Sequence, residues 1–93
     1  MHCLNLTRIT VPDNVTSIGI SAFEGCKNLE YVSLGKEIKY IDMMAFAKCH
    51  KLESIDMNLD KKEVTERFMN GNKAWLMYSN IKNINCLDGV IEL

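Results

Sequence analysis

Ninety-three residues, 47% apolar and 25% charged, describe one small globular unit near the lower size limit for an adequate core. A formal charge of −1 leaves no electrostatic footprint for nucleic acid or an anionic membrane surface. The apolar runs are only a few residues long, too short for a bilayer span or a signal-peptide core. The chain is therefore expected inside the cell, or as a piece of a longer exported protein.

The chain enters at Met1-His2-Cys3 in mid-repeat, with no N-terminal cap expected before its first strand. Cys3, Leu6, Ile9 and Val11 recur 23 residues later as Cys26, Leu29, Val32 and Leu34, and again as Cys49, Leu52, Ile55 and Met57. A fixed period of this size marks a solenoid, in which each coil buries its apolar face only against its neighbours. The coils run over about 3–25, 26–48 and 49–57 onward, with a C-terminal cap over about 58–93, all in one domain.

Within each coil the alternation of side chains predicts a strand, over 8–11, 31–34 and 54–57. Val32 and Leu34 point inward, and Tyr31 and Ser33 outward. Pro12 and Gly35 stop the first two strands at equivalent places. A second extended segment follows, carrying Val15 and Ile18 in one coil and Ile38 and Ile41 in the next. A tight helical turn then bears Ala22-Phe23 and Ala45-Phe46, so the phenylalanines should stack as an aromatic row closing one edge of the core.

After Met57 the pattern changes. Asp60 followed by Glu63 predicts a capped helix with Val64, Phe68 and Met69 inward, ended by Gly71. Trp75, Leu76 and Tyr78 should return apolar bulk to the core. A last repeat strand over 81–86 restores the register with six residues inserted, and Asp88-Gly89 reads as a hairpin turn into a short closing strand with Val90, Ile91 and Leu93.

The cysteines are expected to serve as buried, reduced apolar residues. Stacking at about 4.8 Å would permit a disulfide between neighbours, but three equivalent positions cannot all pair with one another.

Ile-Gly-x-x-Ala-Phe-x-x-Cys-x-x-Leu-x-x-Ile-x-Leu is carried by Ile18-Gly19, Ala22-Phe23, Cys26, Leu29, Val32 and Leu34. It returns as Ile41, Ala45-Phe46, Cys49, Leu52, Ile55 and Met57, with Asp42 in place of the glycine. This pattern resembles the BspA-like leucine-rich repeats, directly over residues 3–57 and more loosely beyond. The resemblance implies an α/β fold: a right-handed leucine-rich-repeat solenoid with a parallel sheet and short helical turns, here closed by a C-terminal helix and hairpin. It also implies a bacterial or protist protein, often secreted or on the cell surface, that contacts other macromolecules.

The outward strand positions form the candidate protein-binding face: Arg8, Thr10, Tyr31, Ser33, Ser54, Asp56, Asn83 and Asn85. Tyr and Arg are residue types that anchor interfaces; the same row could equally do no more than solvate one side of a sheet. His2-Cys3 and Cys49-His50 are adjacent pairs, but neighbours on a tight coil diverge and the pairs lie two coils, about 10 Å, apart. No zinc, other metal or cofactor is expected. His50 and Cys49 should point opposite ways, which leaves no base for a thiol nucleophile, and no catalytic motif occurs elsewhere. The expected function is a non-catalytic interaction module with a protein partner. The alternative is a purely structural segment terminating a longer repeat array. A homodimer through the unpaired first strand, 7–11, is a further expectation, because open strand edges invite pairing.

Overall fold

The computed structural model describes residues 5–71 and 73–93, so Cys3 and the His2-Cys3 pair lie outside the described residues. Among the described residues, seven strands form two sheets. Strands β1 (Arg8–Thr10), β3 (Tyr31–Leu34), β5 (Ser54–Met57), β6 (Asn83–Cys86) and β7 (Gly89–Glu92) make a five-stranded sheet in that order. Strands β2 (Ser17–Ile18) and β4 (Tyr40–Ile41) make a small parallel pair. All neighbours in the large sheet run parallel except the β6–β7 hairpin.

The repeat sets the register. Arg8 lies beside Tyr31 and Ser33 beside Asp56, each 23 residues on. Ile55 pairs with Ile84, which fits the six-residue insertion. Coils also join through their outer turns, where Ser21, Phe23 and Gly25 donate backbone N–H groups to the carbonyls of Met43, Ala45 and Ala47. Every inward slot of the second and third coils is filled: Cys26, Leu29, Val32, Leu34, Cys49, Leu52, Ile55 and Met57 are all buried. Leu6, the first-coil counterpart of Leu29 and Leu52, is 38% exposed, since it has a coil on one side only among the described residues.

The aromatic row forms and extends. Phe23 and Phe46 stack with ring centroids 5.5 Å apart at 15°, and Trp75 meets Phe46 edge-on at 6.4 Å. Phe68 also meets Trp75 edge-on, at 6.1 Å, and the Trp75 Nε1–H donates to the Phe68 carbonyl at 3.0 Å.

Helix α1 (Lys61–Val64) opens at Asp60, whose carboxylate accepts from the Glu63 N–H at 2.8 Å. Glu63 does not complete a reciprocal box; its carboxylate pairs with Arg67 Nε at 3.0 Å. The Lys61 N–H instead donates to Asp88 Oδ1 at 2.8 Å, so the hairpin supplies a second acceptor to the helix start. The chain then widens into a π turn over Thr65–Met69, closed by Asn70 N–H to the Thr65 carbonyl at 3.1 Å. Val64 and Phe68 face inward as expected, with Met69 partly buried.

Tyr78 departs from expectation. It is 72% exposed, because its backbone sits at φ 61 and turns the ring outward while its carbonyl accepts from the Lys48 N–H. Trp75 alone is fully buried from that segment, with Leu76 partly so. The hairpin turn also falls one residue earlier than expected. Cys86 pairs with Gly89, leaving Leu87-Asp88 at the tip and Gly89 at φ 137 in the strand. Finally, β7 is itself the last strand of the sheet, so the hairpin relocates the open edge instead of removing it.

Candidate protein-binding face

Strict alternation in β3 and β5 buries Val32, Leu34, Ile55 and Met57 and leaves Tyr31, Ser33, Ser54 and Asp56 half-buried on the opposite side. In-register pairing turns these separate positions into rows, because parallel strands place equivalent residues side by side about 4.8 Å apart. One row runs Thr10, Ser33, Asp56, Asn85. The other joins Arg8 to Tyr31 and Ser54 to Asn83. All eight predicted residues therefore share one face.

The face is internally braced at both sides. The Arg8 guanidinium lies 4.5 Å from the Tyr31 ring centroid, a cation–π contact that holds both in place and occupies one face of the ring. Asn85 Nδ2 donates to Asp56 Oδ1 at 2.8 Å, which orients the carboxylate. Ser33 and Ser54 lie between, small enough to leave the sheet backbone approachable. Positive charge thus stands at the β1 side and negative charge toward β6.

Two residues join the face that sequence reasoning did not assign to it. The antiparallel register sets Val90 opposite Asn85 and Glu92 opposite Asn83, so both project on the same side. Val90 is 48% exposed. A turn centred one residue later would pair Val90 with Leu87 and Glu92 with Asn85, which lie on the same strand face, so the alternation along β6 was the signal that could have placed both. Five strands make the face roughly 19 Å wide.

Among the described residues no three His, Cys, Asp or Glu side chains converge to hold a metal ion. Cys49 is buried while its neighbour His50 is exposed, and the Cys49 thiol donates to the Phe23 carbonyl at 3.0 Å. The described helices include none long and apolar enough to cross a membrane. Among the described thiols, Cys86 is held above its ordinary pKa, first by burial and then by the Asp88 carboxylate.

The sequence profile of the BspA type leucine rich repeat region (6 copies) matches residues 1–93. No curated protein and no solved structure matches the chain.

Proposed function

The chain belongs to the BspA-type leucine-rich repeat family, and on that premise we propose that it is a non-catalytic module binding a protein partner through the outward face of its parallel sheet. One observation carries the reading. Arg8, Thr10, Tyr31, Ser33, Ser54, Asp56, Asn83 and Asn85 stand in register on one surface, while the core is complete without them. The flat area, roughly 19 Å by two side-chain rows, is well below the ~800 Å² a standard partner buries. The partner therefore also meets the turns flanking the strands, or binds transiently. Tyr31 and Arg8 are the anchors, and the Asp56 carboxylate fixes orientation through charge.

The combined variant Arg8→Ala, Tyr31→Ala, Asp56→Asn tests this. It sheds about 1 kcal/mol of cation–π stabilisation and keeps an acceptor for Asn85. Wild type and variant are immobilised side by side and exposed to the same cell-surface extract. The reading expects proteins retained by the wild type alone; identical retention on the still-folded variant would place binding elsewhere.

A second reading, that the segment terminates a longer array, is favoured by Arg67. Its Nη1 donates to the carbonyls of Ile38 at 2.9 Å and Lys36 at 3.3 Å, on the side where a further coil would continue the small β2–β4 sheet. With Leu59, Val64 and Phe68 buried beneath it, the 58–93 segment closes the right-handed solenoid as a cap, and the whole forms one domain. Self-association through the edge of β1 that pairs with no strand among the described residues belongs with the first reading. Its signature is a concentration-dependent dimer abolished by Thr10→Pro.

A further inference from the structure

Two dipeptides in this chain have the composition that closes a five-membered ring on the backbone, Asn70-Gly71 and Asp88-Gly89. The fold treats them oppositely. In Asp88-Gly89 the carboxylate accepts from the Lys61 N–H at 2.8 Å, and Gly89 is paired with Cys86 in the hairpin. The Lys61 side chain lies across Gly89, its Cε only 2.7 Å from where a Cβ would stand. Both partners of a cyclisation are thus tied into the hairpin and the helix start.

Asn70-Gly71 has no such restraint. Both residues are exposed, and nothing lies within 4 Å of a Cβ position on Gly71. Among the described residues none hydrogen-bonds the Asn70 side-chain amide. The Asn70 N–H is held by the Thr65 carbonyl, but among the described residues the following peptide plane is held only by Gly71 N–H to the Met69 carbonyl, a two-residue γ-type bond. Asn70 has φ −83 and ψ 93, and Gly71 has φ 78. Rotating that peptide plane by about half a turn changes ψ of Asn70 and φ of Gly71 together, and glycine accepts φ of either sign at little cost. In the rotated form the Gly71 nitrogen faces the Asn70 side-chain carbonyl carbon.

We propose that Asn70-Gly71 is a site of spontaneous deamidation in the folded protein. The deprotonated Gly71 nitrogen attacks Asn70 Cγ, so the N–Cγ bond forms, the Cγ–Nδ2 bond breaks, and ammonia leaves with the proton. Water then opens the cyclic imide at either carbonyl, giving an aspartyl or isoaspartyl residue at position 70. The reaction needs no oxidant, cofactor or enzyme.

The site is placed where the product matters. It puts a negative charge just beyond the last carbonyls of the Thr65–Met69 turn, where the backbone already presents partial negative charge. The isoaspartyl product also adds one methylene to the main chain between Phe68 and Trp75. That link sets the Trp75–Phe68 hydrogen bond and seats the indole against Phe46. Modification therefore loosens the segment covering the last coil.

The test is to incubate the purified chain at several pH values from neutral upward and to map proteolytic fragments by mass. An isoaspartyl-directed methyltransferase reports the isomer, and a urea-unfolded sample serves as reference. The expected result is conversion at position 70 in the folded chain, with a rate rising roughly tenfold per pH unit, as reaction through a minor deprotonated form requires. Asn70→Gln should remain unconverted. Asp88 should form isoaspartate only in the unfolded reference, and the converted fraction should melt at a lower temperature than the fresh protein. Asn70 remaining an amide in the folded chain, while the unfolded sample converts, would overturn the proposal.

Discussion

Phe46→Ala is the perturbation that most directly probes how the coils are held together. Phe46 is wholly buried, stacked on Phe23 at 5.5 Å and met edge-on by Trp75 at 6.4 Å. Truncating a buried phenylalanine costs about 3–5 kcal/mol in transfer and cavity terms. At about 0.05–0.15 kcal/mol per residue, a chain of 93 residues has a total stability of about 5–14 kcal/mol, so this change consumes a large share of it. Phe46→Leu keeps most of the volume and forfeits the two aromatic contacts, about 1–3 kcal/mol. Phe23 stands at the partly buried end of the same row, so Phe23→Ala should cost only about 1–2 kcal/mol. Urea denaturation of the three variants, read at Trp75, gives the ranking. For a domain of this size each kcal/mol moves the melting temperature by about 4–8 °C. Equal losses for Phe23→Ala and Phe46→Ala, or a neutral Phe46→Leu, would refute the idea that the aromatic row closes the core progressively toward Trp75.

Lys48→Gly should raise stability by about 0.5–1 kcal/mol: Lys48 is exposed at φ 62, in the slot that Gly25 fills one coil earlier, and relief of left-handed strain outweighs the added freedom of the unfolded chain. A lower melting temperature would contradict this. Gly35→Ala should destabilise by about 1–3 kcal/mol, since a Cβ there would lie 2.6 Å from the Asp13 Cα and 2.7 Å from the Pro12 carbonyl oxygen, and backbone cannot swing aside; an unchanged denaturation midpoint would show that the coils slide freely. The Cys86 thiol has its pKa raised by burial and by Asp88, so the protonated form is favoured on folding. Its contribution is complete below the ordinary thiol pKa and is lost as pH rises through the higher folded value, so Cys86→Ala should flatten the alkaline fall in melting temperature. Parallel pH curves for variant and wild type would count against it.

The repeat was legible because each coil imposes the same burial requirement at the same offset. Leu29 and Leu52, or Val32 and Ile55, announce both the strand and its inward side, and the 23-residue step already contains the register that pairs Ser33 with Asp56. The eight face residues follow as the complement of that pattern. The Asp60 cap and the return of Ile84 beside Ile55 were readable for the same local reasons. What the tertiary structure decided lies in contacts made once. Asp88 reaches the Lys61 N–H and Arg67 reaches the Ile38 carbonyl across 27 and 29 residues, with no second copy in the chain to signal them. Gly35 reads as a turn residue, yet its need for glycine comes from the backbone of the preceding coil pressed against it. Tyr78 has the composition of a core residue and is turned outward by a left-handed backbone angle. The turn decided only which residues Val90 and Glu92 face, Asn85 and Asn83, because alternation along the hairpin puts both outward in either register.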